Sequence, residues 1–168
     1  TWSYQYLRSR TKKLSVQIAY TQKDVLFQVV NSPNLSSDQK LEVVSFATDY
    51  TKLWDDRQFL FTGRLALDQG HMISGERDNQ SIDFSKLVVN LSLLKRIKLP
   101  EWVTDKDYSC NVVLKSNGQY TEKFLSSVEQ FSLGGANAVR AVGVSDISVD
   151  SGVYAGLEIL FEPIKLFS

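Results

Sequence analysis

The chain has 168 residues, which suits one domain, and its 43% hydrophobic and 23% charged residues are ordinary for a globular protein. Lys and Arg total 19 and Asp and Glu also total 19, so the balanced charge excludes a global positive field that attracts nucleic acid. The single cysteine, Cys110, excludes an internal disulfide, and the single histidine, His71, has no partners at the spacing of a zinc site. We therefore expect no metal and no nucleic acid. We also expect no cofactor and no small-molecule substrate.

The first residues, TWSYQYLRSR, lack the apolar segment and the small-residue cleavage site of a signal peptide. No run of about 18 apolar residues follows, so the sequence predicts no transmembrane helix. A transmembrane strand needs only about 10 residues of alternating polarity, so both observations leave a membrane protein built from strands open.

Alternation of apolar and polar residues with a period of two dominates the chain and predicts β-strands. The first stretch runs from Trp2 to about Leu26 with almost no turn residue. The further strand-like stretches are 41–54, 58–68, 84–99, 108–120 and 152–162. Turn signals lie between them at 31–39, 55–57, 68–81 and 99–107, and the third contains His71, which we expect to be solvated in a loop. The sequence predicts an all-β fold, an antiparallel meander of about six long strands with almost no helix.

The polar positions of the alternating pattern include charged residues, so one face of the predicted sheet must contact water. These residues are Lys13, Arg64, Lys86, Arg96, Lys115 and Glu158. A soluble sheet would turn this face to water, whereas a large barrel would turn it to a wet lumen and its apolar face to lipid. Stretches longer than the usual strand of about 5–6 residues favour part of a transmembrane β-barrel. Aromatic residues near strand ends fit an interfacial girdle, or alternatively a soluble core: Trp2, Tyr4, Tyr20, Tyr50, Trp54, Trp102 and Tyr108.

The most informative segment is SSVEQFSLGGANAVRAVGVSDISVDSGVYAGLEILF, residues 126–161. It resembles the signature region of the two-partner secretion transporters, the haemolysin activator and filamentous haemagglutinin transporter (TpsB-like) family of the outer membrane. The matching residues are Glu129, Gln130, Phe131, Ser132, Leu133, Gly134, Gly135, Val139, Arg140, Asp150, Gly152, Leu157 and Glu158. Residues 7–26 and 84–97 resemble strands of the same family, so the similarity extends over nearly the whole chain.

The resemblance implies a barrel of roughly sixteen antiparallel strands, preceded by two small periplasmic domains that receive the secreted partner. It also implies a long extracellular loop, here about 131–152, that folds back into the lumen. At the tip of that loop, a Val-Arg-Gly-aromatic motif pairs its arginine with an aspartate on the barrel wall. The corresponding tip consists of Val139, Arg140, Ala141 and Val142, so alanine replaces the glycine and valine replaces the aromatic residue.

The local chemistry of the segment agrees with this role for Arg140. A loop that enters a barrel needs close backbone approach, which Gly134 and Gly135 allow. An arginine among alanine and valine is costly to desolvate without a carboxylate, and a bidentate pair would hold the loop in one register. The alternative is that Arg140 is a solvated loop charge.

On this interpretation the chain is a fragment, in which residues 1–168 form part of the barrel domain without the periplasmic domains or the signal peptide. The carboxylate partner of Arg140 is then expected just past Ser168. The resemblance implies the outer membrane of a Gram-negative bacterium, with outer-membrane lipid and a secreted exoprotein of the haemolysin or adhesin type as partners. The whole protein would pass the unfolded exoprotein through its lumen.

Three other functions compete with secretion. A member of the same outer-membrane superfamily would insert barrel proteins, although the EQFSLGG sequence favours secretion. A soluble β-sheet binding domain, such as a small lipocalin-like barrel, would be a monomer that needs no detergent. An enzyme is disfavoured, because no GxSxG or HExxH motif is present, and the adjacent Asp55 and Asp56 suit a turn better than an acid–base pair.

Overall fold

The structure, a computed structural model, describes residues 1–27, 37–54, 58–75, 80–98, 109–133 and 147–161. The strands in these ranges are β1 (Trp2–Arg8), β2 (Lys12–Phe27), β3 (Ser37–Trp54), β4 (Phe59–Ser74), β5 (Asp83–Lys98), β6 (Ser109–Tyr120), β7 (Phe131–Leu133), β8 (Ile147–Val149) and β9 (Gly152–Phe161). Over the same ranges, no helix has the length and apolar character needed to cross a membrane.

Seven strands form one antiparallel sheet in the order β1-β2-β3-β4-β5-β6-β9. Up to β6, strands that are consecutive in the chain are neighbours in the sheet, as expected for hairpin connections. After β6 the chain leaves the sheet, forms the separate β7–β8 pair and returns as β9. The six long strands β2 to β6 and β9 have between 10 and 18 residues. The predicted all-β meander is therefore confirmed.

The first predicted stretch is a hairpin and not a continuous strand. β1 pairs back on β2, with Trp2 opposite Ile18. The turn at 9–11 contains neither glycine nor proline, so no break is visible in the sequence. Ser9 closes this turn, because its amide donates to the Lys12 carbonyl at 2.8 Å and its hydroxyl accepts from the Lys12 amide at 3.0 Å.

A second correction concerns His71, which lies in a strand and not in a loop. β4 continues to Ser74, so residues 68–74 belong to the sheet. The side chain of His71 is 56% exposed, and its Nδ1 lies 2.6 Å from Oδ1 of Asp83 on β5. The glycine and polar residues of 68–81 hid the end of the strand, because such residues are depleted in strands.

The two faces of the sheet differ in polarity. Register and the period of two place the predicted charged residues on one face, called here the inner face: Lys13, Arg64, Lys86, Arg96, Lys115 and Glu158. The opposite face, called here the outer face, carries the apolar set, including Leu14, Val16, Ile18, Phe46, Leu65, Leu67, Leu87, Leu91, Val153, Leu157 and Ile159. Among these, Leu65 is 51% and Leu157 is 64% exposed, so the apolar face is the uncovered one.

The two ends of the sheet are named here by their connections. The turn end carries the connections at 9–11, 55–58 and 99–108, and the loop end carries those at 28–36, 75–82 and 121–151. A buried apolar cluster lies on the inner face at the loop end: Leu41, Val43, Met72, Phe84 and Leu125, with Val128 packed against it. Leu125 belongs to the chain that follows β6, so this chain segment covers the sheet at the loop end.

The apolar stretch of the outer face shifts along the strands from one side of the sheet to the other. Leu157, in the middle of β9, is aligned through its register partners on β6, β5, β4 and β3 with Lys12, at the start of β2. The apolar stretch of β2 begins beyond Lys12, at Leu14, and continues to Tyr20. The middle of that stretch, Gln17, is five residues from Lys12, and five strand pairings separate β9 from β2. The apolar stretch therefore shifts by about one residue per strand. With ~3.3 Å per residue and ~4.8 Å between strands, this shift corresponds to a strand tilt of roughly 35°. Strands of closed barrels are tilted by a similar angle.

Close packing at the loop end depends on a glycine. The ring of Phe84 lies over Gly70 of β4, and a Cβ added at Gly70 would come within 2.1 Å of Phe84 Cζ. Phe84 is 4% exposed within the apolar cluster, so its ring has little space into which it can move. A larger residue at this position would force the core apart.

We expect Gly70→Ala to lower the free energy of unfolding by about 1–3 kcal/mol, the usual cost of overpacking a core. Urea unfolding followed by circular dichroism measures this change. Gly118→Ala is the matched control, because a Cβ on Gly118 meets no atom closer than the Gly152 carbonyl oxygen at 3.6 Å. Equal losses in the two variants would contradict this account of the core.

Candidate functional site

Glu129 is a buried carboxylate on the inner face at the loop end, and the residue is only 3% exposed. Its Oε2 accepts a hydrogen bond from Lys86 Nζ at 2.8 Å, and its Oε1 accepts one from Lys23 Nζ at 2.5 Å. Lys86 Nζ also donates to the Glu129 carbonyl at 3.0 Å. The Lys86 side chain is 8% exposed and that of Lys23 is 36% exposed. These three residues are called here the ion cluster. The pairing offsets the several kcal/mol that burying the charge of Glu129 or of Lys86 alone would cost.

The ion cluster joins parts of the chain that are far apart in sequence. Lys23 lies near the end of β2 and Lys86 near the start of β5, so β3 and β4 lie between them in the sheet. Glu129 follows β6 and contacts both lysines. One carboxylate therefore holds the segment 121–133 to the inner face on both sides of the apolar cluster.

A neutral hydrogen-bonded network holds the same segment to β3. Ser126 Oγ donates to Gln39 Oε1 at 2.6 Å. Gln39 Nε2 in turn donates to the Gly75 carbonyl at 3.2 Å and to Gln80 Oε1 at 3.0 Å. Gln39 and Ser126 are each 1% exposed, so these hydrogen bonds replace the water that both side chains lose.

The two ends of the loop are also bound to each other. Gln119 Nε2 donates to the carbonyls of Glu129 at 2.9 Å and of Asp150 at 3.0 Å. Asp150 Oδ1 accepts from the Leu125 amide at 3.1 Å and from Gln130 Nε2 at 3.0 Å. Residues 119–133 and 147–152, called here the loop base, therefore form one hydrogen-bonded unit.

Two further contacts complete the loop base. The Thr121 amide donates to Ser151 Oγ at 2.8 Å, and Ser151 Oγ donates to the Thr121 carbonyl at 2.9 Å. Phe131 of β7 pairs with Val149 of β8. A Cβ on Gly152 would lie 2.8 Å from Phe131 Cδ1, so the glycine leaves room for the ring.

Towards the turn end, the inner face carries paired polar groups. Arg64 Nη1 donates to Asp49 Oδ1 at 3.0 Å and to Gln17 Oε1 at 3.2 Å. Lys115 Nζ lies 3.9 Å from Glu158 Oε2. In the ranges that the structure describes, no group of three or more His, Cys, Asp or Glu residues is placed to hold a metal ion. The described contacts line the inner face with amides and with charges of both signs.

Comparison with known proteins identifies the family. A family model described as haemolysin secretion/activation protein ShlB/FhaC/HecB matches residues 1–165. The chain belongs to this family. CdiB from Escherichia coli is a similar solved structure, with a TM-score of 0.71 and 23% identity over 99% of this chain and 30% of CdiB. At that identity the likeness shows the fold alone, and comparison with curated protein sequences gave no match.

Membership of the ShlB/FhaC/HecB family confirms the resemblance read from residues 126–161 and the assignment of the sheet to a transmembrane β-barrel fold. The chain spans 30% of the length of CdiB. The alternative of a soluble β-sheet binding domain has no support in this match, which is to a haemolysin secretion/activation family.

The predicted motif residues of this ShlB/FhaC/HecB chain divide into three groups. Five belong to the part of the loop that lies outside the described residues, so their role stays a prediction: Gly134, Gly135, Val139, Arg140 and Ala141. The structure brings four others together in the loop base: Glu129, Phe131, Asp150 and Gly152. The remaining two, Leu157 and Glu158, lie on β9 facing opposite sides of the sheet, so they are not part of the loop base.

Most of the residues that bond to the loop base were not predicted from the sequence. Lys86 was visible as a charged member of the alternation in β5, but Lys23, Gln39, Gln119 and Ser126 carried no comparable signal. Each is an ordinary polar residue at a strand end or in a connection. The one available sequence signal for these partners is a charged residue at an inward-facing position near the loop end. Only the register of β2 to β5 shows which of these charged residues contact Glu129.

We expect Glu129→Leu to lower the free energy of unfolding by about 3–5 kcal/mol, because it leaves the buried ammonium group of Lys86 without its carboxylate. Urea unfolding of the full-length protein in detergent measures the loss. Glu122→Leu is the control, since Glu122 is exposed and accepts a hydrogen bond from the Tyr120 hydroxyl at 3.2 Å. The control should change the free energy by no more than about 0.5 kcal/mol.

A second variant separates the charge from the shape of the side chain. Glu129→Leu combined with Lys86→Met removes both members of the more buried pair, so we expect it to regain most of the lost stability. If the double variant is as unstable as Glu129→Leu alone, the loss does not come from an unpaired lysine.

Proposed function

We propose that this chain forms part of an outer-membrane pore through which a Gram-negative bacterium secretes a partner exoprotein of the haemolysin or adhesin type. Membership of the ShlB/FhaC/HecB family supports the class of function. The observation that carries the proposal is the loop base, a connection held against the polar inner face by the buried carboxylate of Glu129. In a closed barrel that face would be the wall of the lumen.

The outer face suits contact with lipid. Its apolar side chains include Leu65, Val153 and Leu157, which are 51%, 74% and 64% exposed. A contiguous apolar face of this extent is a liability in water but matches the hydrocarbon of a bilayer. A closed barrel would also pair the backbone groups at the sheet edges, as lipid requires.

The inner face suits the passage of an unfolded polypeptide. Arg64 is paired with Asp49, and Asn90 and Asn117 continue the same register row with neutral amides. A wall with balanced charge and hydrogen-bonding amides would hold no segment of the exoprotein strongly, whatever the charge of that segment. Passage of a chain makes and breaks no covalent bond, so we assign no catalytic residue and no cofactor.

The loop of 131–152 would enter this lumen from the loop end. Its two stems are held together on the inner face by Gln119, which bonds the carbonyls of both Glu129 and Asp150. Because both stems lie on the inner face, the loop would begin and end on the lumen side of the barrel wall. We infer that Arg140 then pairs with a carboxylate of the barrel wall.

Loss of this pair should impair secretion without preventing insertion of the barrel. In a deletion strain carrying the full-length gene, we expect Arg140→Ala to reduce release of a tagged partner exoprotein roughly tenfold or more, because a charged hydrogen-bonded pair contributes about 1.5–3 kcal/mol. Immunoblots of the culture supernatant measure the exoprotein. Heat-modifiable gel mobility of the outer-membrane fraction measures the folded barrel.

Arg10→Ala is the matched control, because Arg10 is an exposed residue of the 9–11 turn. Secretion by the control should equal that of the wild type. Normal secretion by Arg140→Ala would contradict the role of the loop, and normal secretion by the deletion strain itself would contradict the proposed function.

A further inference from the structure

Three strands of the outer face change from an apolar residue to lysine towards the turn end. The steps are Leu14 to Lys12 on β2, Tyr50 to Lys52 on β3 and Leu93 to Lys95 on β5. Each step is two residues, so each lysine shares a face with the apolar residue before it. With the apolar stretch in lipid, as the proposed function has it, the three ammonium groups lie at one surface of the membrane.

Two of these lysines face each other directly. Lys12 and Lys52 are register partners on adjacent strands, and like charges in that position repel. Among the described residues, no carboxylate forms an ion pair with Lys12, Lys52 or Lys95. Asp49 lies on the inner face, and the turn residues 55–57 lie outside the described part of the chain. A bound anion between the two lysines would remove the repulsion.

Aromatic rings lie beside the same lysines. Lys52 Nζ is 4.0 Å from the centroid of the Trp54 ring, and that ring is 5.1 Å from the ring of Phe59. Phe59 is in turn the register partner of Lys95. Tryptophan next to cations is typical of the head-group level of a membrane. These residues, Lys12, Lys52, Trp54, Phe59 and Lys95, are called here the lysine patch.

The loop end of the outer face differs in charge. Its charged positions are Asp24, Asp38, Lys40, Glu42 and Asp83, with His71 hydrogen-bonded to Asp83. Four carboxylates against one lysine do not favour an anion there. The attraction for anions on this face is therefore confined to the turn end.

We propose that the lysine patch binds the phosphate head group of an anionic phospholipid, with the acyl chains on the apolar residues beside it. This inference rests on the proposed function, because it requires the outer face to lie in a bilayer. Short turns of outer-membrane barrels face the periplasm, so the lipid belongs to the periplasmic leaflet. The adjoining apolar face favours a lipid over a soluble phosphate, because a soluble phosphate has no acyl chains to contact that face.

The test uses the full-length protein, purified in detergent and titrated with phosphatidylglycerol or phosphatidylethanolamine under native mass spectrometry. We expect the wild type to bind phosphatidylglycerol more tightly than phosphatidylethanolamine. The triple variant Lys12→Gln, Lys52→Gln, Lys95→Gln should bind phosphatidylglycerol about a hundredfold more weakly, at roughly fivefold for each lysine. Excess inorganic phosphate should not displace the lipid.

The matched control removes three cations at the same end from the inner face: Arg8→Gln, Lys13→Gln, Lys98→Gln. It should bind phosphatidylglycerol as the wild type does. Equal affinity of the triple variant and the wild type, equal weakening in the control, or displacement by inorganic phosphate would each overturn the lipid site. If the wild type does not insert into liposomes, as judged by heat-modifiable mobility, the proposed function fails and the lipid site fails with it.

Discussion

A carboxylate buried between two lysines fixes the position of the chain that covers the inner face. The apolar contact of Leu125 with the core draws the segment 121–133 onto the sheet, but hydrophobic contact alone has no preferred direction. The hydrogen bonds from Lys23 and Lys86 to Glu129 supply the direction, because each requires one placement of the carboxylate. Because desolvation offsets much of the attraction in a buried ion pair, we infer that this pair contributes more to a unique arrangement than to net stability.

That arrangement depends in turn on the register of the sheet. Lys23 and Lys86 reach the same carboxylate only if β2, β3, β4 and β5 keep their observed pairing. A slip of one residue in β5 would turn Lys86 to the outer face and bring Leu87 inward. The same slip would break the apolar stretch of the outer face. The ion cluster and the lipid-compatible face therefore select the same register, which is the consistency expected of a well-specified fold.

Features of the fold that neighbouring residues determine could be predicted from the sequence, whereas features that depend on the pairing of distant strands could not. The long strands were predictable because alternation is a local pattern, whereas the hairpin at 9–11 was not, because a serine hydroxyl replaces the expected glycine or proline. Glu129 and Asp150 were found through their motif. Their contacts with Lys86 and Gln119 were not, because those depend on which strands lie side by side. The pairing of distant polar residues is a property of register, and no single stretch of sequence carries it.

The loop base can compensate for the two positions at which the loop tip differs from the motif expected for the family. Ala141 and Val142 replace a glycine and an aromatic residue, and neither belongs to the loop base. The hydrogen bonds of Gln119 and Asp150 hold the two stems together whatever the tip contains. Ordering part of a loop in advance reduces the entropy that its remainder must lose when it docks. In the proposed pore, a tip with less contact area would therefore still dock, and its weaker attachment would make it easier for a passing exoprotein to displace.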